Sequence, residues 1–187
     1  SQAEVHIVND QVDPVIDATY LTDSDGKLTL TGVPPSIESY QISVTKTGYS
    51  LDRTYGRDEV ANPLKPHASV FEDEITEISF SIDRLGTMDI QTTGTQGNGY
   101  PPIGLVTFTL QGNKIIGTDS EGQPVYKFTQ SYQTDQTGRI EITDLEWDSY
   151  YFTIESPEGL DLAEVESPPG EPTTLPIDLL PAETKEI

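Results

Sequence analysis

Cysteine is absent from this chain of 187 residues, so neither a disulfide framework nor a thiolate zinc site can form, and stability rests on packing. Basic residues are scarce: 10 Lys and Arg stand against 32 Asp and Glu, a formal net charge of -22 that repels nucleic-acid phosphates and an anionic membrane face. Nucleic acid is therefore not an expected partner. No apolar run approaches the roughly 20 residues of a membrane helix, and Ser1 to Glu4 carry neither a basic leader nor an apolar core. Membrane contact by this segment is not expected, and an export signal or anchor is expected to lie outside it. Histidine occurs twice, as His6 and His67, neither in His-Glu-x-x-His nor beside Gly-x-Ser-x-Gly. Triad chemistry thus lacks support, and among 32 acids no pair stands out as glycosidase carboxylates. Neither an enzyme nor a cofactor is expected.

Hydrophobic residues make up only 34% of the chain, yet they alternate with polar ones in an ordered way that disordered segments lack. Ile42/Val44, Ile78/Phe80/Ile82, Val106/Phe108/Leu110 and Phe152/Ile154 all follow the period of two that puts one strand face in a core. No stretch of helical length keeps a helical period, so almost no helix is expected.

The chain also repeats itself, which bears on the whole architecture. Thr22-Asp23-Ser24-Asp25-Gly26-Lys27-Leu28-Thr29-Leu30-Thr31 lines up with Thr134-Asp135-Gln136-Thr137-Gly138-Arg139-Ile140-Glu141-Ile142-Thr143, 112 residues apart, 135 against 23. Ser39-Tyr40-Gln41-Ile42 then matches Ser149-Tyr150-Tyr151-Phe152, and Val70 to Ile78 lies over Leu179 to Ile187. Each copy reads as strand, tight Asp-x-x-Gly turn, strand. A second hairpin tip is expected at Thr118-Asp119-Ser120-Glu121-Gly122.

The boundary is expected near Arg84 to Thr87, giving one β-sandwich over residues 1–85 and a second over 86–187, with a linker short enough to set them end to end. Asn98-Gly99-Tyr100-Pro101-Pro102 and Pro168-Pro169-Gly170-Glu171-Pro172 are read as loops, because proline cannot donate to a sheet ladder. Ile187 aligns with Ile78, leaving no counterpart of Phe80 and Ile82, so the closing strand of the second copy reads as incomplete. Two readings stand: a sequence simply cut short there, which is favoured, and an open C-terminal edge that another chain or a downstream segment fills by strand addition.

The residues resemble the prealbumin-like or Cna-B-type domains and the related carboxypeptidase regulatory-like domains. Thr22 to Gly26, Tyr40 and Gly48-Tyr49 carry the likeness in the first copy. In the second it is carried by Val106 to Leu110, Thr134 to Gly138, Leu145, Tyr150, Glu155, Pro157 and Gly159. The arrangement also looks like soluble portions of pilin-like bacterial surface proteins. The resemblance implies an all-β fold of two tandem Ig-like, prealbumin-like antiparallel sandwiches, an extracellular, cell-surface location, and partners among other surface or pilus subunits. Some Cna-B domains form a Lys–Asn isopeptide bond promoted by a buried acid. Glu155 stands at the acid's position, but Gln91 occupies the lysine's, the C-terminal segment offers no Asn, and Thr45 replaces the acid in the first copy. No isopeptide bond is expected in either copy.

Two sets of residues carry candidate chemistry. Asp23 and Asp25 on a turn suit a hard cation, although the twelfth position counted from Asp23 is Pro34 rather than Glu, which excludes an EF-hand, and an ordinary β-turn competes. Trp147 and Tyr151, beside Tyr150, offer rings that stack on sugars when exposed. Strand alternation sends Tyr150 and Phe152 to one face and Tyr151 to the other, so core packing competes. The acidic run Glu72-Asp73-Glu74 with Glu77 reads as a solvated edge. The expected function is a non-catalytic structural or adhesive module of a surface or pilus-associated protein. Its rival is a carbohydrate- or protein-binding module, Ca-assisted, around Trp147 and Tyr151.

Overall fold

The computed structural model describes residues 2–94, 101–154 and 160–187. Chain order gives β1 (Glu4–Asn9), β2 (Ile16–Leu21), β3 (Ser36–Thr45), β4 (Asp52–Arg53), β5 (Asn62–Pro63) and β6 (Ala68–Val70). Next come β7 (Gly86–Gln91), β8 (Thr107–Gly112), β9 (Ile115–Thr118), β10 (Pro124–Tyr126), β11 (Thr129–Gln133) and β12 (Arg139–Leu145). The series ends with β13 (Asp148–Ile154), β14 (Val165–Glu166), β15 (Pro172–Thr173), β16 (Ile177–Leu179) and β17 (Thr184–Glu186). No helix occurs among the described residues, as the period-two pattern leads one to expect.

The chain divides into two units, Ser1–Ile82 with Ile115–Val125 and Asp83–Lys114 with Tyr126–Ile187. In the first, strands run in the order β2-β1-β3-β4, with β6 also on β3, and a second small sheet runs β10-β9-β5. In the second, one sheet is β11-β8-β13-β16, another is β12-β7-β17, and β14–β15 form a ribbon. The β9–β10 hairpin belongs to the first unit through Asn62↔Thr118 and Pro63↔Gly117. A Cβ on Gly117 would stand 2.4 Å from the Asn62 carbonyl oxygen, so that close approach needs a glycine.

The sequence repeat is a topological repeat. β1 lies between β2 and β3, as β8 lies between β11 and β13. The Ala3 amide donates to Thr22 Oγ1 at 2.9 Å and the Thr22 amide to the Ala3 carbonyl at 3.0 Å; Val106 and Thr134 exchange the same pair, both at 3.0 Å. Tyr40 and Tyr150 are 2% and 1% exposed, and each hydroxyl donates to an upstream carbonyl, Pro34 at 2.5 Å and Glu146 at 2.6 Å. Three Asp-x-x-Gly turns share one wiring. Oδ1 of Asp23, Asp119 and Asp135 accepts the amides two and four residues on, at 2.7–2.9 Å, while the glycine amide donates to the aspartate carbonyl. Gly26, Gly122 and Gly138 hold φ of +78°, +82° and +78°, where a side chain is strained.

The cores differ between the units. In the second, Phe108, Leu110, Tyr150 and Leu179 from one sheet pack with Met88, Ile90, Ile142 and Leu145 from the other, which is sheet-on-sheet packing consistent with a β-sandwich. In the first, the buried cluster is Val5, Ile7, Tyr40 and Val44, all from β1 and β3 of a single sheet. Leu28, Leu30, Phe80 and Ile82 pack against it half-buried.

Several expectations meet a different structure. Leu28/Leu30 and Ile78/Phe80/Ile82 lie in segments that are not strands, since neither has a ladder partner. At the C-terminus, β17 is paired with β7 in parallel, and the Ile187 amide donates to the Asp89 carbonyl at 2.8 Å while the Gln91 amide donates to the Ile187 carbonyl at 2.8 Å. The last strand is thus an edge strand bonded on its β7 side. Pro172 enters β15 as its first residue, opposite Glu166, where a missing amide is tolerated, and the turn before it is closed by Ser167 and Glu171. Asn98 to Tyr100, Glu155, Pro157 and Gly159 lie outside the described residues.

The two repeat glycines are expected to respond unequally to alanine. A Cβ on Gly26 meets nothing within 4 Å, whereas one on Gly138 would stand 2.7 Å from the Thr92 carbonyl oxygen and 2.8 Å from that of Ile103. Gly26→Ala should cost the roughly 1 kcal/mol of a left-handed residue, and Gly138→Ala about 2 kcal/mol or more beyond that. Urea unfolding of the two variants measures both, and equal losses would contradict the assignment.

Candidate functional site

Trp147 occupies the connection between β12 and β13, where the chain turns back from one sheet of the second unit to the other. Its Nε1 donates to Asp83 Oδ2 at 2.6 Å, and Lys114 Nζ stands 3.7 Å from its ring centroid. Lys114 Nζ also reaches Glu146 Oε1 at 2.9 Å, and Lys127 Nζ reaches Glu146 Oε2 at 2.5 Å. The Lys127 amide donates to the Lys114 carbonyl, which sets the two lysines side by side against one carboxylate.

Beneath them lies Asp148, 9% exposed. Its Oδ2 accepts the Lys114 amide at 3.0 Å and its Oδ1 the Ser149 amide at 2.8 Å, so the buried charge is hydrogen-bonded. Gly112 makes room, because a Cβ there would stand 2.5 Å from Asp148 Oδ2. Tyr150 is held above the usual phenol range, first by burial and then by the charges of Asp148 and Glu146. It stays protonated and donates to the Glu146 carbonyl. Asn113, Lys114, Trp147, Ser149, Asp178 and Leu180 outline a shallow groove here.

Trp147 and Tyr151 are each 41% exposed. Tyr151 lies on β13 opposite Gln111, four residues beyond Trp147 of the β12–β13 connection. One face of the indole already carries the Lys114 ammonium, a contact worth about 0.5–1 kcal/mol at an exposed site. Asp83, Lys114, Lys127 and Glu146 have no periodic signature, and only Glu146 and Asp148, beside Trp147 in sequence, could have drawn attention to the cluster.

Asp23 and Asp25 belong to the first of the three turns, with Asp23 Oδ1 bound to the amides of Asp25 and Lys27. Among the described residues no group of three or more His, Asp or Glu is arranged to hold a metal ion. The arrangement nearest to a nucleophile and base is Thr54 Oγ1 with His67 Nδ1, 3.0 Å apart. Thr54 is 2% exposed and its Oγ1 also accepts the Ile42 amide at 2.9 Å, so it ties β3 to the β4 region. Arg53 with Glu59 and Arg57 with Glu38 are forked ion pairs on the same unit. Each guanidinium holds its carboxylate below the ordinary range through hydrogen bonding.

Two measurements follow from these contacts. Burial lowers the His67 pKa below its ordinary 6.5 against the pull of Asp58 and Glu59, so the unfolded chain takes up a proton that the folded chain refuses. His67 therefore stabilises the fold above pH 6.5, and that contribution fades as pH falls toward its folded pKa. His67→Gln should flatten the stability profile between pH 7 and 5.5 in denaturant titrations, and an unchanged slope would contradict this. Asp148→Ala should cost about 1–3 kcal/mol by stranding the Lys114 and Ser149 amides, as urea unfolding would register.

No family model, curated protein or solved structure matches this chain.

Proposed function

We propose that the chain is a non-catalytic extracellular structural or adhesive module of a cell-surface or pilus-associated protein, built from two tandem prealbumin-like sandwiches. One observation carries the reading: the polar residues that could have served chemistry are committed to the repeated framework. Asp23, Asp119 and Asp135 each close a turn, Tyr40 and Tyr150 each tie down a chain crossing, and Thr54 accepts the Ile42 amide. Such duplicated bonds secure a scaffold by fixing where the chain turns.

The acidic surface supports a partner-facing role more than a self-associating one. A charge of -22 on 187 residues keeps copies apart at low ionic strength, and salt weakens the effect over about 10 Å at 0.1 M. Neighbouring surface or pilus subunits with neutral or basic faces are the partners this charge suits.

Labelling of intact cells that make the protein, before and after a brief protease treatment, tests the location. The expected result is labelling without lysis that protease removes. Attachment of those cells should fall when the chain is deleted and persist when Trp147→Ala and Tyr151→Ala are combined. Labelling seen only after lysis would contradict the extracellular reading, and attachment lost in the double variant would move the function to a ligand site at those rings.

A further inference from the structure

An open sheet ends in edge strands whose unpaired amides and carbonyls invite another strand, and proteins blunt such edges with charge, with proline or by keeping them short. Among the described strands, one edge escapes all three devices. β11 closes one side of the sheet β11-β8-β13-β16, and its sequence Thr129-Gln130-Ser131-Tyr132-Gln133 holds neither a charge nor a proline. Every other edge strand carries a charged residue or a proline, except β6, which is only three residues long. That a chain with 32 Asp and Glu leaves this edge bare sets it apart.

The register shows which backbone groups of β11 face outward. The Gly112 amide donates to the Phe128 carbonyl and the Thr134 amide to the Val106 carbonyl, both at 3.0 Å, one bond at each end of the β11–β8 ladder. Bonded pairs in an antiparallel ladder fall on alternate residues, so Gln130 and Tyr132 are bonded to Leu110 and Phe108. The backbone amides and carbonyls of Thr129, Ser131 and Gln133 therefore point away from β8, and their amides have no partner among the described residues. All three residues are exposed. Gln130 is exposed too, although it shares a sheet face with Leu110, which is 0% exposed, so the edge is open on its core-facing side as well.

We propose that β11 is a self-association edge, at which two copies of this chain join β11 to β11, antiparallel, about a twofold axis at Ser131. Register is the first argument. The outward residues are spaced evenly about Ser131, so pairing Ser131 with its own counterpart sets Thr129 against Gln133, and every outward amide meets an outward carbonyl. Charge is the second. A net charge of -22 opposes the approach of two copies wherever acids meet. None meet here: β11 is uncharged, and so is the adjoining row on the same face, Thr107, Thr109 and Gln111 of β8. Just beyond the strand ends, the same register brings Lys127 of each copy against Asp135 of the other, charges of opposite sign. A backbone joint in acidic surroundings strengthens with salt as the repulsion is screened, whereas an interface held by ion pairs weakens.

Sedimentation at about 0.01 M and about 1 M salt, where the screening length falls from about 30 Å to about 3 Å, tests the proposal. The expected result is a dimer that grows with protein concentration and with salt. Ser131→Glu and Ser131→Lys should each weaken it about tenfold or more by facing like charges across the axis, and mixing the two variants should restore it. Because Ser131 is exposed, urea unfolding of both variants should match that of the parent. Amide exchange resolved by NMR needs no variant: Thr129, Ser131 and Gln133 should slow as concentration rises, while Gln130 and Tyr132, bonded to β8 in either state, should not change. A chain that stays monomeric at both salts overturns the proposal and leaves the edge to a strand of a different protein. A dimer that neither variant weakens, with the three amides still exchanging fast, overturns it by placing the contact on another face. Failure of the mixed variants to re-form the dimer overturns the twofold axis.

Discussion

In the second unit, Met88 and Ile90 of β7 press against Phe108, Leu110, Tyr150 and Leu179 of the facing sheet, and the packing of that unit depends on this contact. A sheet buries its apolar face only against another layer, and β7 provides the middle of that layer. Its backbone bonds to β12 on one side and β17 on the other turn two otherwise separate segments into a sheet. The first unit packs the same chain pattern differently. β1, β2 and β3 form the same ladder, yet Leu28–Thr31 and residues 77–82 lie against it as unpaired chain and the buried cluster shrinks to four side chains.

Polar residues do the complementary work of fixing where the chain turns. An aspartate that accepts two amides and a glycine at positive φ set each tight turn, and a buried tyrosine hydroxyl fixes the approach to the central strand in both units. These are neutral or local interactions, insensitive to the chain's overall charge. The exposed ion pairs contribute little each, about 0–1 kcal/mol, so 32 acids can be carried at the surface without governing the fold. Around Trp147 the same economy appears. Lys114 and Lys127 share the Glu146 carboxylate, and the indole is fastened at Nε1 and covered on one face. That makes Trp147 an anchor for the β12–β13 connection.

How far the sequence could be read followed from what each feature depends on. The Asp-x-x-Gly turns and the alternation in β8, β12 and β13 are local properties, so Ile140/Ile142 and Phe108/Leu110 announced their strands. Leu28/Leu30 announced one equally well and formed none, because a strand also needs a partner that periodicity does not encode. β5 was silent for the opposite reason: at two residues, Asn62–Pro63, it has no period, and only its partner β9 makes it a strand. The parallel pairing of β17 with β7 joins opposite ends of the unit and left no mark in Thr184-Lys185-Glu186. At the candidate site, Trp147 and Tyr151 were visible as aromatics, but the fastening of the indole and the ammonium over it depend on residues distant in sequence, Asp83 and Lys114.

Truncating Met88 to alanine tests the central claim most directly, because that side chain belongs to β7 and is fully buried. Urea unfolding followed by Trp147 fluorescence reports on the unit that contains both. Loss of about 2–5 kcal/mol, the cost of an unfilled core cavity, is the result this account predicts. Stability within error of the parent chain would contradict it, since β7 could then not be the layer on which the second unit is built.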